Sequence, residues 1–209
     1  SLIPRFTVLN PALCNCFPAQ TGSVCANLLA RALGLCLNDG VLARLSCASG
    51  AAVAQLVLEI LPRIRVNPLD YELRANLLWA GVLLHNALNP GLRGAPELEL
   101  PARELMLRTG CSHARAVALL MPAWLEFLEP KEPLLLMQLC HLLLNVPLDF
   151  AMPASAVRLA LERLRQIFAA AGLPTTFTDL KLGGEAVGEI LGALPWDEEG
   201  CLEGTVLSF

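Results

Sequence analysis

Apolar residues return every three or four positions along almost the whole chain, and that period leaves little choice of fold class. Val24, Leu28, Leu29, Ala32, Leu33 and Cys36 share one helical face. Val53, Leu56, Val57, Ile60 and Leu61 share a second, and Leu73, Leu77, Leu78, Val82, Leu83 and Leu84 a third. Val157, Leu161, Leu164, Phe168 and Ala169 form a fourth, with Arg158, Glu162, Arg163 and Arg165 on the opposite side. A recurrence near 3.6 residues marks amphipathic and buried helices, whereas a half-buried strand alternates at every second residue. Only Phe6 to Asn10, between Pro4 and Pro11, reads as a short extended segment. Asn67-Pro68 opens a helix near Leu69, and Asn89-Pro90-Gly91 ends it. Pro122 is expected to start or kink a turn, and Pro130 and Pro133 bracket the next boundary. Pro153 opens a further helix that Gly172 closes, and Gly183-Gly184 precedes a short one over 185–191. The expectation is one all-α domain, with a lead-in over 1–20, a helical bundle over 21–195 and a tail over 196–209.

Composition narrows the function classes. The 209 residues are 55% hydrophobic and 16% charged, which excludes a disordered chain because ample apolar surface is there to bury. A net charge of −4 argues against a nucleic-acid partner, which needs a basic stripe. The longest nearly unbroken apolar run, Leu134 to Leu144, contains Gln138 and His141 and falls short of the roughly 20 residues of a spanning helix. No membrane span and no signal peptide are expected, and the setting reads as cytoplasmic. The eight cysteines (Cys14, Cys16, Cys25, Cys36, Cys47, Cys111, Cys140 and Cys201) are too sparse for a disulfide scaffold and read as small buried hydrophobes. Cys14-Asn15-Cys16 is too tight for zinc and has no second pair. Gly183-Gly184 and Gly91-x-x-Gly94 lack the preceding strand that a phosphate-binding loop requires.

Several segments resemble one family. Phe6-Thr-Val-Leu-Asn-Pro-Ala-Leu followed by Phe17-Pro-Ala-Gln-Thr21, then Tyr71-Glu-Leu-Arg-Ala-Asn-Leu-Leu-Trp-Ala80 with Asn86 beyond, are similar to segments of the iron-containing (group III) alcohol dehydrogenases. So are His113-Ala-Arg-Ala-Val-Ala-Leu-Leu-Met-Pro-Ala-Trp124 and Gly172-Leu-Pro-Thr175. The branch resembled is that of the NADPH-dependent aldehyde reductases and butanol dehydrogenases. The fold this implies is their C-terminal, dehydroquinate-synthase-like helical domain. The resemblance also implies two-domain enzymes, in which an N-terminal domain binds the nicotinamide cofactor and the helical domain holds a divalent metal. This chain begins near the junction, so the resemblance places the cofactor domain outside it.

The metal positions that the resemblance implies are altered. An Asp and a His four residues apart correspond to Asn27 and Arg31, and two histidines correspond to Glu99 and Arg103. The last histidine ligand is retained as His113. Spacing of i, i+4 puts Asn27 and Arg31 on one helix face. Asn is a weak neutral ligand, and a guanidinium offers only donors. Pro101 lies between Glu99 and Arg103, so a helix there is expected to start late or bend. Arg31 is expected to fill the metal position and pair with Glu99, beside His113 and Asn27, because a buried unpaired charge is costly. The alternative is that Arg31 and Arg103 point to water, with Arg103 also able to pair with Glu104. His85 and His141 read as packed or surface histidines, Trp79 and Trp124 as core, and Trp196-Asp-Glu-Glu as a solvated patch.

These residues support a non-catalytic domain, with no cofactor and no catalytic residue, acting on a protein partner or a second copy through the former cofactor-domain face. One alternative is a metal-dependent dehydrogenase with residual iron or zinc at His113 and its cofactor domain supplied elsewhere. Another is an anion-binding protein that grips a carboxylate or phosphate with Arg31 or Arg103.

Overall fold

Half of the α-helices among the described residues begin on a proline, at Pro18, Pro96, Pro133 and Pro153. Proline suits the first helical position because its missing N–H has no intrahelical acceptor there and its φ is already helical. The computed structural model describes residues 8–13, 18–37, 43–85 and 96–192. Its helices are α1 (Pro18–Cys36), α2 (Ala43–Val66), α3 (Tyr71–His85), α4 (Pro96–Thr109), α5 (His113–Leu128), α6 (Pro133–Leu144), α7 (Pro153–Ala170) and α8 (Gly184–Gly192). Short 3-10 turns occupy Pro11–Leu13 and Phe177–Leu180. No strand occurs among the described residues. The extended segment expected over Phe6 to Asn10 lies partly outside them, and 8–10 is irregular. Asn145 ends α6 in the left-handed region at φ 51, and Gly172 follows α7 at φ 73. Both close their helices as such residues do.

The inner face of α1 packs along α2; α1 also rests on α5, and α2 on α6 and α7. Gly50 makes the first contact close: a Cβ there would lie 2.5 Å from the Ala32 carbonyl oxygen. Leu28, Leu29, Leu33, Val53, Val57, Ile60, Leu61, Leu161, Leu164 and Phe168 are buried, as their periodicity requires. Arg163 on α7 donates to the carbonyls of Leu144 (2.9 Å) and Asn145 (3.4 Å), fastening the end of α6. Arg108 on α4 meets Glu189 on α8 at 3.2 Å.

Several expectations change. The chain enters α1 at Pro18 rather than at 21, through the proline start just described. Pro101 lies inside α4, and Pro122 lies inside α5 and is buried. Each removes one hydrogen bond, and packing on both sides carries the helix past it. Trp124 is buried as expected, but Trp79 is 57% exposed on the outer side of α3, and Val24 and Leu83 are also exposed. By length and composition alone α2 is long and apolar enough to cross a membrane, a test that the core helix of a soluble protein also passes. Its larger apolar residues are interrupted by serine, alanine and glycine in the first half and by Glu59, Arg63 and Arg65 in the second, so no long run of large apolar residues announces it. One face of α2 nonetheless lies in the core.

Candidate functional site

Three segments distant in sequence meet at His113. It is the first residue of α5, following Ser112, whose extended backbone (φ −71, ψ 153) starts the helix. Its Nε2 donates to Glu99 Oε2 at 2.8 Å. Its Nδ1 is hydrogen-bonded to the Asn27 side-chain amide, with Oδ1 at 2.9 Å. One imidazole therefore joins α1, α4 and α5. The sequence reading of Asn27, Glu99 and His113 as one cluster is what the structure brings together.

The arrangement does not suit a divalent ion. A first-row metal sits about 2.0–2.2 Å from nitrogen and oxygen ligands. The two nitrogens of an imidazole face opposite ways, and here each is taken by a different neighbour. The donor set adds to the difficulty, because Arg31 on the same face of α1 offers only donors. Among the described residues no group of three or more His, Cys, Asp or Glu could hold a metal.

Arg31 does not pair with Glu99. The Glu99 carboxylate is engaged by His113, and among the described residues Arg31 makes no ion pair. Its Nε is buried with no hydrogen-bond partner among the described residues, although the residue as a whole is only half-buried. His113 reaches Glu99 Oε2 at 2.8 Å and holds the carboxylate that the sequence assigned to the guanidinium. Arg103 is exposed, one turn beyond Glu99, and Glu104 is half-buried. His113 and Glu99 are themselves 36% and 40% exposed, so their attraction is screened and modest.

His141 donates Nδ1–H to the Val146 carbonyl at 2.8 Å and is a surface residue, as expected. The His85 side chain, Cys14-Asn15-Cys16, Gly91-x-x-Gly94 and Trp196-Asp-Glu-Glu lie outside the described residues. Sequence reasoning missed Arg74, which is buried and donates Nε–H to the Pro68 carbonyl. It also missed the neighbouring Cys36 and Cys47, where the Cys36 thiol approaches the Cys47 carbonyl at 3.5 Å. The only signal for that contact was the run of small residues from Ser46 to Ala52.

No family model matches the chain. The NADPH-dependent aldehyde reductase YqhD of Escherichia coli is 24% identical over 194 residues, 91% of this chain and 49% of that protein. NADH-dependent butanol dehydrogenase B of Clostridium acetobutylicum is 26% identical over 129 residues, 61% of this chain and 33% of that protein. The substrate- and cofactor-free structure of YqhD superposes with a TM-score of 0.82 at 22% identity, covering 91% of this chain and 50% of that one. NADH-dependent butanol dehydrogenase A of Thermotoga maritima gives 0.76 at 18% identity, covering 87% and 46%. The chain thus spans about half the length of the relatives it matches. In fold it is the C-terminal helical domain of the iron-type alcohol dehydrogenases, and its sequence resembles the aldehyde reductase and butanol dehydrogenase branch.

Proposed function

We infer that this chain is a non-catalytic helical domain whose metal positions have been rebuilt as a direct side-chain link, and that it acts by associating with a protein partner or with a second copy. The observation that carries the reading is the engagement of both ring nitrogens of His113 by Asn27 and Glu99. An ion that polarises a carbonyl oxygen needs a nitrogen lone pair and an open position, and this arrangement offers neither. Arg31 beside the link further disfavours a divalent cation.

A second reading keeps the oxidoreductase activity that the relatives' names carry, with a nicotinamide-binding partner domain. The convergence of Asn27, Glu99 and His113 favours it, since a half-turn of the imidazole would free one nitrogen. Metal content separates the two. The protein is incubated with Fe(II), Zn(II) or Ni(II), freed of excess metal and analysed by elemental mass spectrometry, with His113→Ala in parallel. The non-catalytic reading expects well under one ion per chain and no difference between the two proteins. Near-stoichiometric metal that disappears in His113→Ala would overturn it.

A further inference from the structure

Cys36 is the last residue of α1, and Cys47 lies in the second turn of α2. The Cys36 S–H donates to the Cys47 carbonyl at 3.5 Å. A Cβ built on Gly50, one turn further along α2, would lie 3.2 Å from the same sulfur. The sulfur is therefore pressed onto the first turns of α2, beside Cys47. Cys36 is buried at 5% exposure, whereas Cys47 is half-buried. Both are free thiols.

We propose that Cys36 and Cys47 are a redox-modification site, at which a hydroperoxide converts the two thiols to an intramolecular disulfide pinning the end of α1 to the start of α2. The Cys47 sulfur attacks one peroxide oxygen. The O–O bond breaks, the alcohol leaves with the thiol proton, and Cys47 becomes a sulfenic acid. The Cys36 sulfur then attacks the Cys47 sulfur. The S–O bond breaks, and the hydroxyl leaves as water with the Cys36 proton. In sum two thiols and one hydroperoxide give a disulfide, an alcohol and water, and the two electrons lost by the sulfurs reduce the O–O bond.

The division of labour follows from burial. Desolvation, with the adjoining Cys47 thiol second, pushes the Cys36 thiol well above its ordinary value, so it stays protonated and does not meet the oxidant itself. Burial likewise pushes Cys140 up to about 11, and Cys25 is fully buried. Neither competes with Cys47. The resolving step is slow because Cys36 must lose its proton, which makes the pair a responder to sustained oxidation.

The test treats the folded protein with hydrogen peroxide, alkylates the remaining thiols after unfolding and digests with trypsin. Cleavage after Arg31, Arg44 and Arg63 places Cys36 in peptide 32–44 and Cys47 in peptide 45–63. The expected result is loss of most of both alkylated peptides and the appearance of one joined species, two hydrogens lighter than their sum, which dithiothreitol separates again. Cys47→Ser, at a half-buried position, abolishes the joined species and leaves Cys36 alkylated. Cys36→Ser leaves a sulfenic acid on Cys47 that dimedone traps. Oxidation of Cys47 to sulfinic acid with Cys36 still alkylated, a link to any other cysteine, or no reaction at either thiol would overturn the proposal. The wild-type peptide map decides the matter even if Cys36→Ser does not fold.

Discussion

Gly50→Ala sets the local preference of a helix against the packing of two helices. A methyl group at 50 would stand 2.5 Å from the Ala32 carbonyl oxygen, 3.0 Å from Leu35 Cβ and 3.2 Å from Cys36 Sγ. The first of these is backbone in the body of α1 and cannot rotate away, so the helices must part. Overpacking of a tight core costs about 1–3 kcal/mol, and a rigid backbone neighbour puts this site at the upper end. Alanine recovers about 1 kcal/mol of helix propensity. The net loss is about 2 kcal/mol, which for a domain of this size lowers Tm by roughly 4–8 °C. Gly81→Ala is the control, because the nearest atom to its Cβ is Leu28 Cδ2 at 3.9 Å. There only the propensity term acts, and stability rises by roughly 0.5–1 kcal/mol. Thermal melts followed by far-ultraviolet circular dichroism compare the three proteins. A Gly50→Ala protein that melts at or above the wild-type temperature would show that α1 and α2 are not in this close contact, and the argument would fall.

Arg31→Met is expected to raise stability by about 1 kcal/mol, since it removes a buried, unpartnered Nε and keeps an aliphatic stem. A lower urea midpoint for the variant would mean that the guanidinium has an acceptor. Asp179 receives the backbone N–H groups of Thr175 and Thr176, which hold its carboxyl below the usual value. Its folded pKa is depressed, so its stabilisation is complete above the ordinary carboxylate range near 3.9 and fades as pH falls through the folded value. The gap between wild type and Asp179→Asn in thermal melts should therefore stay constant near neutrality and shrink in acid. A gap that persists undiminished at the lowest pH would refute this assignment.

Much of the fold was legible because helical periodicity and proline punctuation report on local geometry. Pro153 and Gly172 bracket α7, and the gap from Pro130 to Pro133 separates α5 from α6. The site was legible in its membership only through the family resemblance, which put Asn27, Glu99 and His113 at the metal positions. Its pairing was not. Which donor reaches Glu99 first is a matter of tertiary distance, and His113 reaches it before Arg31. The exposure of Trp79 was hidden for a similar reason, because α3 is apolar on every side from Leu77 to Leu84 and that stretch does not say which side meets the core. Gly50 and the two cysteines form a helix crossing, and crossings are decided by which small residues come face to face.

The His113 ring also has a history in time. Its bond to Glu99 spans 14 residues, and its bond to Asn27 spans 86. Closing the longer loop costs about 1.6 kcal/mol more in chain entropy, by the logarithmic dependence on length. The two halves of the link are therefore unequal partners. The Glu99 contact lies within one helix pair, α4 and α5, while the Asn27 contact needs α1 packed against α5. The ring closes the bundle like a clasp with one short arm and one long one. By this measure the long arm is the costlier of the two to close.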